Sequence, residues 1–219
     1  MFVVQNASGD KLAFYDVPKN ASTTIKKLFI DHLGISDQFD FYGEEFIDDS
    51  GNRIGNFDNS KKYKTDKSGL KKDFHEFAQN TAFHALDSED NLSKVCVVRD
   101  PLERFVSCFN HIVLVNKEFS ATPYEALESV RTGTQKTNHL LPQVVWLGKN
   151  DRYYDKIYNV NQVSDFCTDL NSFFGKNVDA LRYQTAGSSV EFPIEVDQAL
   201  KDKVREVYSL DYKAFGKYF

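Results

Sequence analysis

A lysine and three hydroxyl residues crowd into Pro18-Lys19-Asn20-Ala21-Ser22-Thr23-Thr24, between a short apolar run and a stretch with helical periodicity. A turn of this kind, leading from a strand into a helix, is suited to binding anions. The N–H groups at a helix start lack partners within the helix, and the helix dipole favours negative charge there. Ser22, Thr23 and Thr24 add hydroxyl donors, and Lys19 adds a full charge on a flexible stem. The glycines of GxxxxGK[ST] are missing, which disfavours an ordinary ATPase loop. A second segment, VVRDPLERFVSCF, sets Arg99 at the end of an apolar run and Ser107 two helical turns further on. Arginine suits bidentate recognition of a phosphate, and the end of a strand in an α/β sheet is where ligands bind. Arg104 is expected on the solvent face. Taken singly, each segment also has an ordinary reading. Ser22 or Thr23 caps a helix beside a solvated Lys19, and Arg99 pairs with Asp100 or Glu103 while Ser107 is a tolerated polar helix residue.

The surrounding residues predict the elements that would position these groups. Residues 12–17 (LAFYDV) read as a strand, and Ile25, Leu28, Phe29 and Leu33 form a helical stripe over 23–33. Residues 94–98 (KVCVV) are a continuous apolar run, as in a strand covered on both faces. Asp100 then caps a helix with Pro101 in its first turn and Leu102, Phe105, Val106 and Phe109 on one face. Residues 154–160 (YDKIYNV) predict a third buried strand. A helix from about 165 to 174 follows, with Phe166, Leu170, Phe173 and Phe174 inward and Gly175 as its stop. Val196, Leu200, Val204 and Val207 mark a last helix. Strands alternating with helices in this way predict an α/β fold with a largely parallel sheet. Residues 40–81 are rich in Asp, Asn, Gly, Ser and Lys, and read as a polar insertion in a single domain spanning 1–219. A hairpin is expected near Asp49-Ser50-Gly51-Asn52, with a loop around Lys61–Lys72.

Composition narrows the function. The chain has 219 residues, 41% of them hydrophobic and 14% aromatic, enough to bury a core. No apolar run approaches the roughly 20 residues of a bilayer span, and the first residues do not read as an export signal, so a cytoplasmic setting without membrane association is expected. Cys96, Cys108 and Cys167 sit among apolar neighbours and read as buried thiols in a reducing compartment. The net charge of -5 argues against a nucleic-acid partner, which needs many Lys and Arg contacts. Any anion site must therefore be local.

The two segments together, in this order, resemble the motifs of the sulfotransferases that use 3′-phosphoadenosine-5′-phosphosulfate (PAPS). PKNASTT looks like their 5′-phosphosulfate loop, and RDPLERFVSCF looks like their 3′-phosphate motif, including the eight-residue step from Arg99 to Ser107. A weaker likeness extends to His139-Leu140-Leu141-Pro142-Gln143 and to the closing VYSLDYKAFGKYF. Thr24 stands where the cytosolic small-phenol enzymes typically carry tryptophan, so the chain is more similar to the carbohydrate branch, notably the uronosyl 2-O type. Those relatives usually carry a Golgi anchor, which is not evident here, and a bacterial or viral cytoplasmic setting is consistent with that. The resemblance implies a P-loop-like three-layer fold with a central, mainly parallel sheet flanked by helices.

It also implies roles. Lys19 would bind the 5′-phosphosulfate and neutralise charge on the leaving oxygen. Asn20, Ala21, Ser22, Thr23 and Thr24 would hold the 5′-phosphate, and Arg99 and Ser107 the 3′-phosphate. Adenosine 3′,5′-bisphosphate would be the product, the acceptor would be a hydroxyl of a carbohydrate, and no metal is implied. The region of His84, in AFHALD, is where the uronosyl 2-O type keeps its base histidine, and an imidazole pKa of about 6.5 suits that task. Other branches use a glutamate, for which Glu44 and Glu45 are the alternatives, and His75 is a weaker one. The role of His139 is left open, and His32 and His111 read as structural. The lysines of 61–72 could receive an anionic sugar chain or simply be solvated. Phe39, Phe41, Tyr42 and Phe57 could stack on a sugar or belong to the core. Two other functions remain open, a nucleotide-dependent kinase and a non-catalytic nucleotide-binding module.

Overall fold

In the computed structural model, Lys11–Tyr15 forms a strand (β2) and Leu92–Val98 another (β5), each leading into one of the two candidate anion-site segments. The structure describes residues 2–34, 46–47, 53–54, 92–111, 121–179 and 194–219. With β1 (Phe2–Gln5) and β6 (Lys156–Asn159), these strands make a mixed, mostly parallel sheet in the order β1-β2-β5-β6. β5 and β6 are parallel, with Val95 opposite Lys156 and Val98 opposite Asn159. Val95, Cys96, Val97 and Val98 are all buried, as their unbroken apolar run requires. β6 was expected to be buried as well, but only Tyr158 is. Among the described strands β6 is the last in the order, with a neighbour on one side, and Lys156 is exposed. A separate antiparallel pair, β3 (Phe46–Ile47) and β4 (Arg53–Ile54), brackets residues 48–52, where the hairpin was expected.

Seven α-helices accompany the sheet among the described residues, and the fold is α/β as the sequence predicts. They are α1 (Ser22–Leu33), α2 (Pro101–Phe109), α3 (Pro123–Thr132), α4 (Val144–Leu147), α5 (Val163–Phe174), α6 (Gln198–Val207) and α7 (Ser209–Phe215). The described residues fall into two compact units. The first draws on Met1–Ala13, Thr23–Leu92 and Ser164–Tyr183, the second on Phe14–Ser22, Ser93–Val163 and Gln184–Phe219.

In the first unit, α1 buries Ile25, Leu28 and Phe29, and the Phe29 ring meets Phe166 of α5 edge-on at 5.8 Å. His32 has the structural place expected for it. Its Nδ1 pairs with the Leu28 carbonyl at 2.6 Å and its Nε2 with Asn171 Oδ1 at 2.7 Å. α5 ends at Gly175, whose φ of 61° is the left-handed value that glycine adopts without strain.

In the second unit, Asp100 caps α2, its Oδ1 accepting from the N–H groups of Leu102 (2.9 Å) and Glu103 (3.2 Å). A cap of this type contributes about 1 kcal/mol. α3 was not foreseen from apolar spacing. It is marked instead by a capping box at Thr122 and Glu125, Pro123 in its first turn and Gly133 at its end. Phe105, Cys108 and Phe109 of α2, Ala126 and Leu127 of α3, and Leu200 and Val204 of α6 share one core with Leu140 and Tyr208. Cys96, Cys108 and Cys167 are free, buried thiols.

Candidate active site at the loop after β2

The chain turns sharply as it leaves β2. The Asn20 N–H donates to the Val17 carbonyl at 3.2 Å, and Lys19 and Ala21 take φ values of 71° and 58° with Asn20 between them. Left-handed backbone costs a residue with a side chain about 1 to 2 kcal/mol, so the rest of the structure must hold this shape in place. Left-handed residues beside right-handed ones are the backbone pattern from which concave anion sites are built. Ser22 then opens α1, adding the positive end of a helix.

Three side chains hold the loop. Asn20 is buried, and its Nδ2 donates to the Val97 carbonyl near the end of β5 (2.8 Å) and to Gln143 Oε1 (2.7 Å). Arg99 follows directly after β5, and its Nη1 donates to the Lys19 carbonyl at 3.3 Å. The same guanidinium pairs through Nε with Glu103 Oε2 at 3.4 Å, so the surface pairing foreseen for Arg99 coexists with the contact to the loop. Glu103 is half exposed there, and an ion pair of that kind contributes at most about 1 kcal/mol.

The third is Arg104, which corrects an expectation. Rather than facing solvent it is 1% exposed, and it donates to three carbonyls, those of Pro18 (3.1 Å), Leu141 (2.8 Å) and His139 (3.0 Å). A buried charge survives only when its hydrogen-bonding capacity is used, and a guanidinium has donors enough for all three. The buried side of α2 runs Pro101, Arg104, Phe105, Cys108, the three- and four-residue step of a helix face, with arginine in an apolar position. That spacing was the available signal. His139, whose role was open, takes part through its backbone, its carbonyl accepting from Arg104 and from the Cys108 thiol at 3.0 Å.

The positive charges of the site act on one another. Burial holds the Lys19 pKa below its ordinary value of 10.5, and the charges of Arg99 and Arg104 push the same way while Cys108 opposes them. Burial raises the Cys108 thiol pKa, against the pull of Arg104, Lys19 and Arg99. Three cations therefore converge here, with the Glu103 carboxylate half exposed at the rim. An arrangement of this kind stabilises a bound polyanion.

Ser107 is half-buried on α2, one turn beyond Arg104, and Ser22 is half-buried at the start of α1. Thr24 is buried within α1. His84, His75, Glu44, Glu45, the Lys61–Lys72 cluster, Phe39, Phe41, Tyr42 and Phe57 lie outside the described residues. Among the described residues no group of three or more His, Cys, Asp or Glu could hold a metal ion, and no helix is long and apolar enough to cross a membrane.

A family model described as the sulfotransferase family matches residues 3–174, a span that includes both candidate segments, 18–24 and 97–109. The chain belongs to the sulfotransferase family. Comparisons with curated proteins and with solved structures return no match. Sulfuryl transfer is thus the general chemistry of this sulfotransferase. Two residues of its site beyond Arg104 escaped sequence reasoning. Gln143 is fully buried between the two segments, and Asp211 is fully buried with its oxygens on the N–H groups of Gln143 (2.8 Å) and Val144 (2.9 Å). Burial pushes the Asp211 carboxyl pKa up, against those N–H groups and Arg104, which pull it down. Both lie in the stretches of weaker family likeness, 139–143 and 207–219, but no local pattern marks the role of either, because each acts through partners distant in the chain.

Proposed function

We propose that the sulfotransferase moves a sulfuryl group from PAPS to the hydroxyl of a carbohydrate by in-line transfer with a general base. The observation that carries this reading is the contact between Arg99 and the Lys19 carbonyl, 80 residues apart in sequence, which joins the two segments in one cationic site. PAPS carries anionic groups at both the 5′ and the 3′ positions of its ribose, and a site with two anion-binding segments suits it better than a nucleotide charged at the 5′ position alone. The left-handed loop and the start of α1 would receive the 5′-phosphosulfate through Asn20, Ala21, Ser22, Thr23 and Thr24, and Arg99 with Ser107 would receive the 3′-phosphate. Positioning and charge stabilisation would supply most of the catalysis, as in phosphoryl transfer.

In the proposed step the acceptor oxygen forms a bond to sulfur as the bond from sulfur to the bridging phosphate oxygen breaks. The acceptor proton passes to His84, and adenosine 3′,5′-bisphosphate leaves with its new charge met by Lys19. Glu44 and Glu45 are the alternative bases. The uronosyl 2-O resemblance supports a carbohydrate acceptor, and the lysines of 61–72 would suit an anionic sugar chain.

Two measurements test the reading. Calorimetry should show adenosine 3′,5′-bisphosphate binding without added metal and more tightly than ATP with magnesium. Transfer of labelled sulfate from PAPS to glycans containing uronic acid should be seen with the native chain and be lost in Lys19→Ala. Preference for magnesium ATP would favour a kinase instead. Tight bisphosphate binding with no transfer to any hydroxyl would indicate a nucleotide-binding module.

A further inference from the structure

The side-chain amide of Gln143 holds both anion-binding segments at once. Its Oε1 accepts from Asn20 Nδ2 at 2.7 Å, in the loop after β2, and from the Arg99 N–H at 3.0 Å, at the end of β5. Its Nε2 donates to the Arg99 carbonyl at 2.8 Å. The residue is 0% exposed, so no water competes for these bonds. Both acceptor sites of the carbonyl oxygen are used, together with one N–H of the amide. Few side chains could replace it. Glutamate cannot donate to Arg99, asparagine is one methylene short, and an aliphatic residue would remove all three bonds, leaving Asn20 Nδ2 only its bond to Val97.

Gln143 is itself fixed from the other side. The two oxygens of Asp211 accept from the N–H groups of Gln143 and Val144, which aligns the backbone from which the amide projects. Asp211 lies in α7, and its surroundings are as dry as those of Gln143, being 0% exposed. A chain of hydrogen bonds thus runs from α7 through one glutamine to both segments. It splits only at the last step, to Asn20 on one branch and the Arg99 backbone on the other.

We propose that Gln143 is a positioning residue that couples the two halves of the nucleotide site, with Asp211 as its support. This rests on the reading of the site as one for adenosine 3′,5′-bisphosphate. Each loop restrains the other through a shared partner, so a phosphate that orders one end pre-arranges the opposite end. Binding of the two phosphates is therefore cooperative, and the cooperativity depends on this amide.

The experiment compares adenosine 3′,5′-bisphosphate, adenosine 5′-monophosphate and adenosine 3′-monophosphate by calorimetry on the native chain, Gln143→Ala and Asp211→Asn, with melting curves to verify folding. Two ratios are read, the affinity gained by adding a 3′-phosphate and the affinity gained by adding a 5′-phosphate. In Gln143→Ala both ratios should fall about tenfold, the size of a typical coupling between sites, and in Asp211→Asn both should fall by a smaller factor. A folded Gln143→Ala in which either ratio is unchanged overturns the proposal, including the case in which all three affinities drop by one common factor, as a purely structural role would produce. If Gln143→Ala does not fold, Asp211→Asn decides by the same ratios. A native chain that prefers the bisphosphate to neither monophosphate overturns the nucleotide reading itself, an outcome distinct from loss of coupling in the variants.

Discussion

The guanidinium of Arg99 donates to the backbone carbonyl of Lys19 at 3.3 Å, joining two segments that stand 80 residues apart. The backbone of the lysine is thus held by a second cation. Burial and the two arginines all disfavour the charged form of Lys19 in the absence of a ligand. A site under such strain releases free energy when an anion enters it.

One consequence concerns stability and pH. With the Lys19 pKa lowered in the folded chain, the unfolded state binds more protons over the window between the lowered value and 10.5. Unfolding free energy therefore rises with pH across that window, because the penalty of a crowded ammonium is relieved as it deprotonates. Lys19→Met should melt higher than the native chain at neutral pH without nucleotide. The difference should shrink as pH climbs toward 10.5. Thermal melts across a pH series measure this, and a native chain that is the more stable at neutral pH would contradict it.

Arg99→Ala removes the donor to the Lys19 carbonyl and the charge proposed for the 3′-phosphate. Hydrogen bonds from a charged group contribute about 2 kcal/mol, so bisphosphate affinity should drop by about thirtyfold. Adenosine 5′-monophosphate, lacking the 3′ group, should lose less. Equal losses for both nucleotides in calorimetry would move the 3′-phosphate elsewhere.

Arg104→Met tests the buried brace. The substitution keeps the apolar stem but leaves the carbonyls of Pro18, His139 and Leu141 without their donor. Leaving buried acceptors unpaired should destabilise the chain by about 3 kcal/mol in all, a drop in Tm of roughly 6 to 12 °C for a chain of this size. A Tm within 2 °C or so of native would show that the carbonyls find other partners.

His84→Ala should lower the transfer rate by about 100-fold, the usual contribution of a general base, and leave bisphosphate affinity unchanged. The rising acid limb of the pH profile of kcat should disappear with it. A near-native rate in a folded variant would shift the base role to Glu44 or Glu45, which the matching variants would then test.

Much of the local structure was legible from the residues alone. Asp100 with Pro101 marks the start of α2, the unbroken apolar run of β5 announces its burial, and Gly175 announces the end of α5. Each of these follows from the preferences of a residue and its near neighbours. The two candidate segments were visible for the same reason, since a lysine among hydroxyl residues at a helix start is a local pattern. That these segments meet depends on the pairing of distant strands, and this is the work of the tertiary structure.

Arg104, Gln143 and Asp211 mark that boundary. An arginine, a glutamine and an aspartate are read by default as surface residues, because burying them unpaired is costly. Their burial becomes possible only where folding gathers carbonyls from residues 18, 139 and 141, the N–H groups of residues 143 and 144, and the backbone of residue 99 into a dry interior. The amino-acid sequence determined, by short-range rules, which groups could grip an anion. Only the folded chain decided which polar side chains would be spent inside to aim them, since that depends on partners no short stretch of sequence contains.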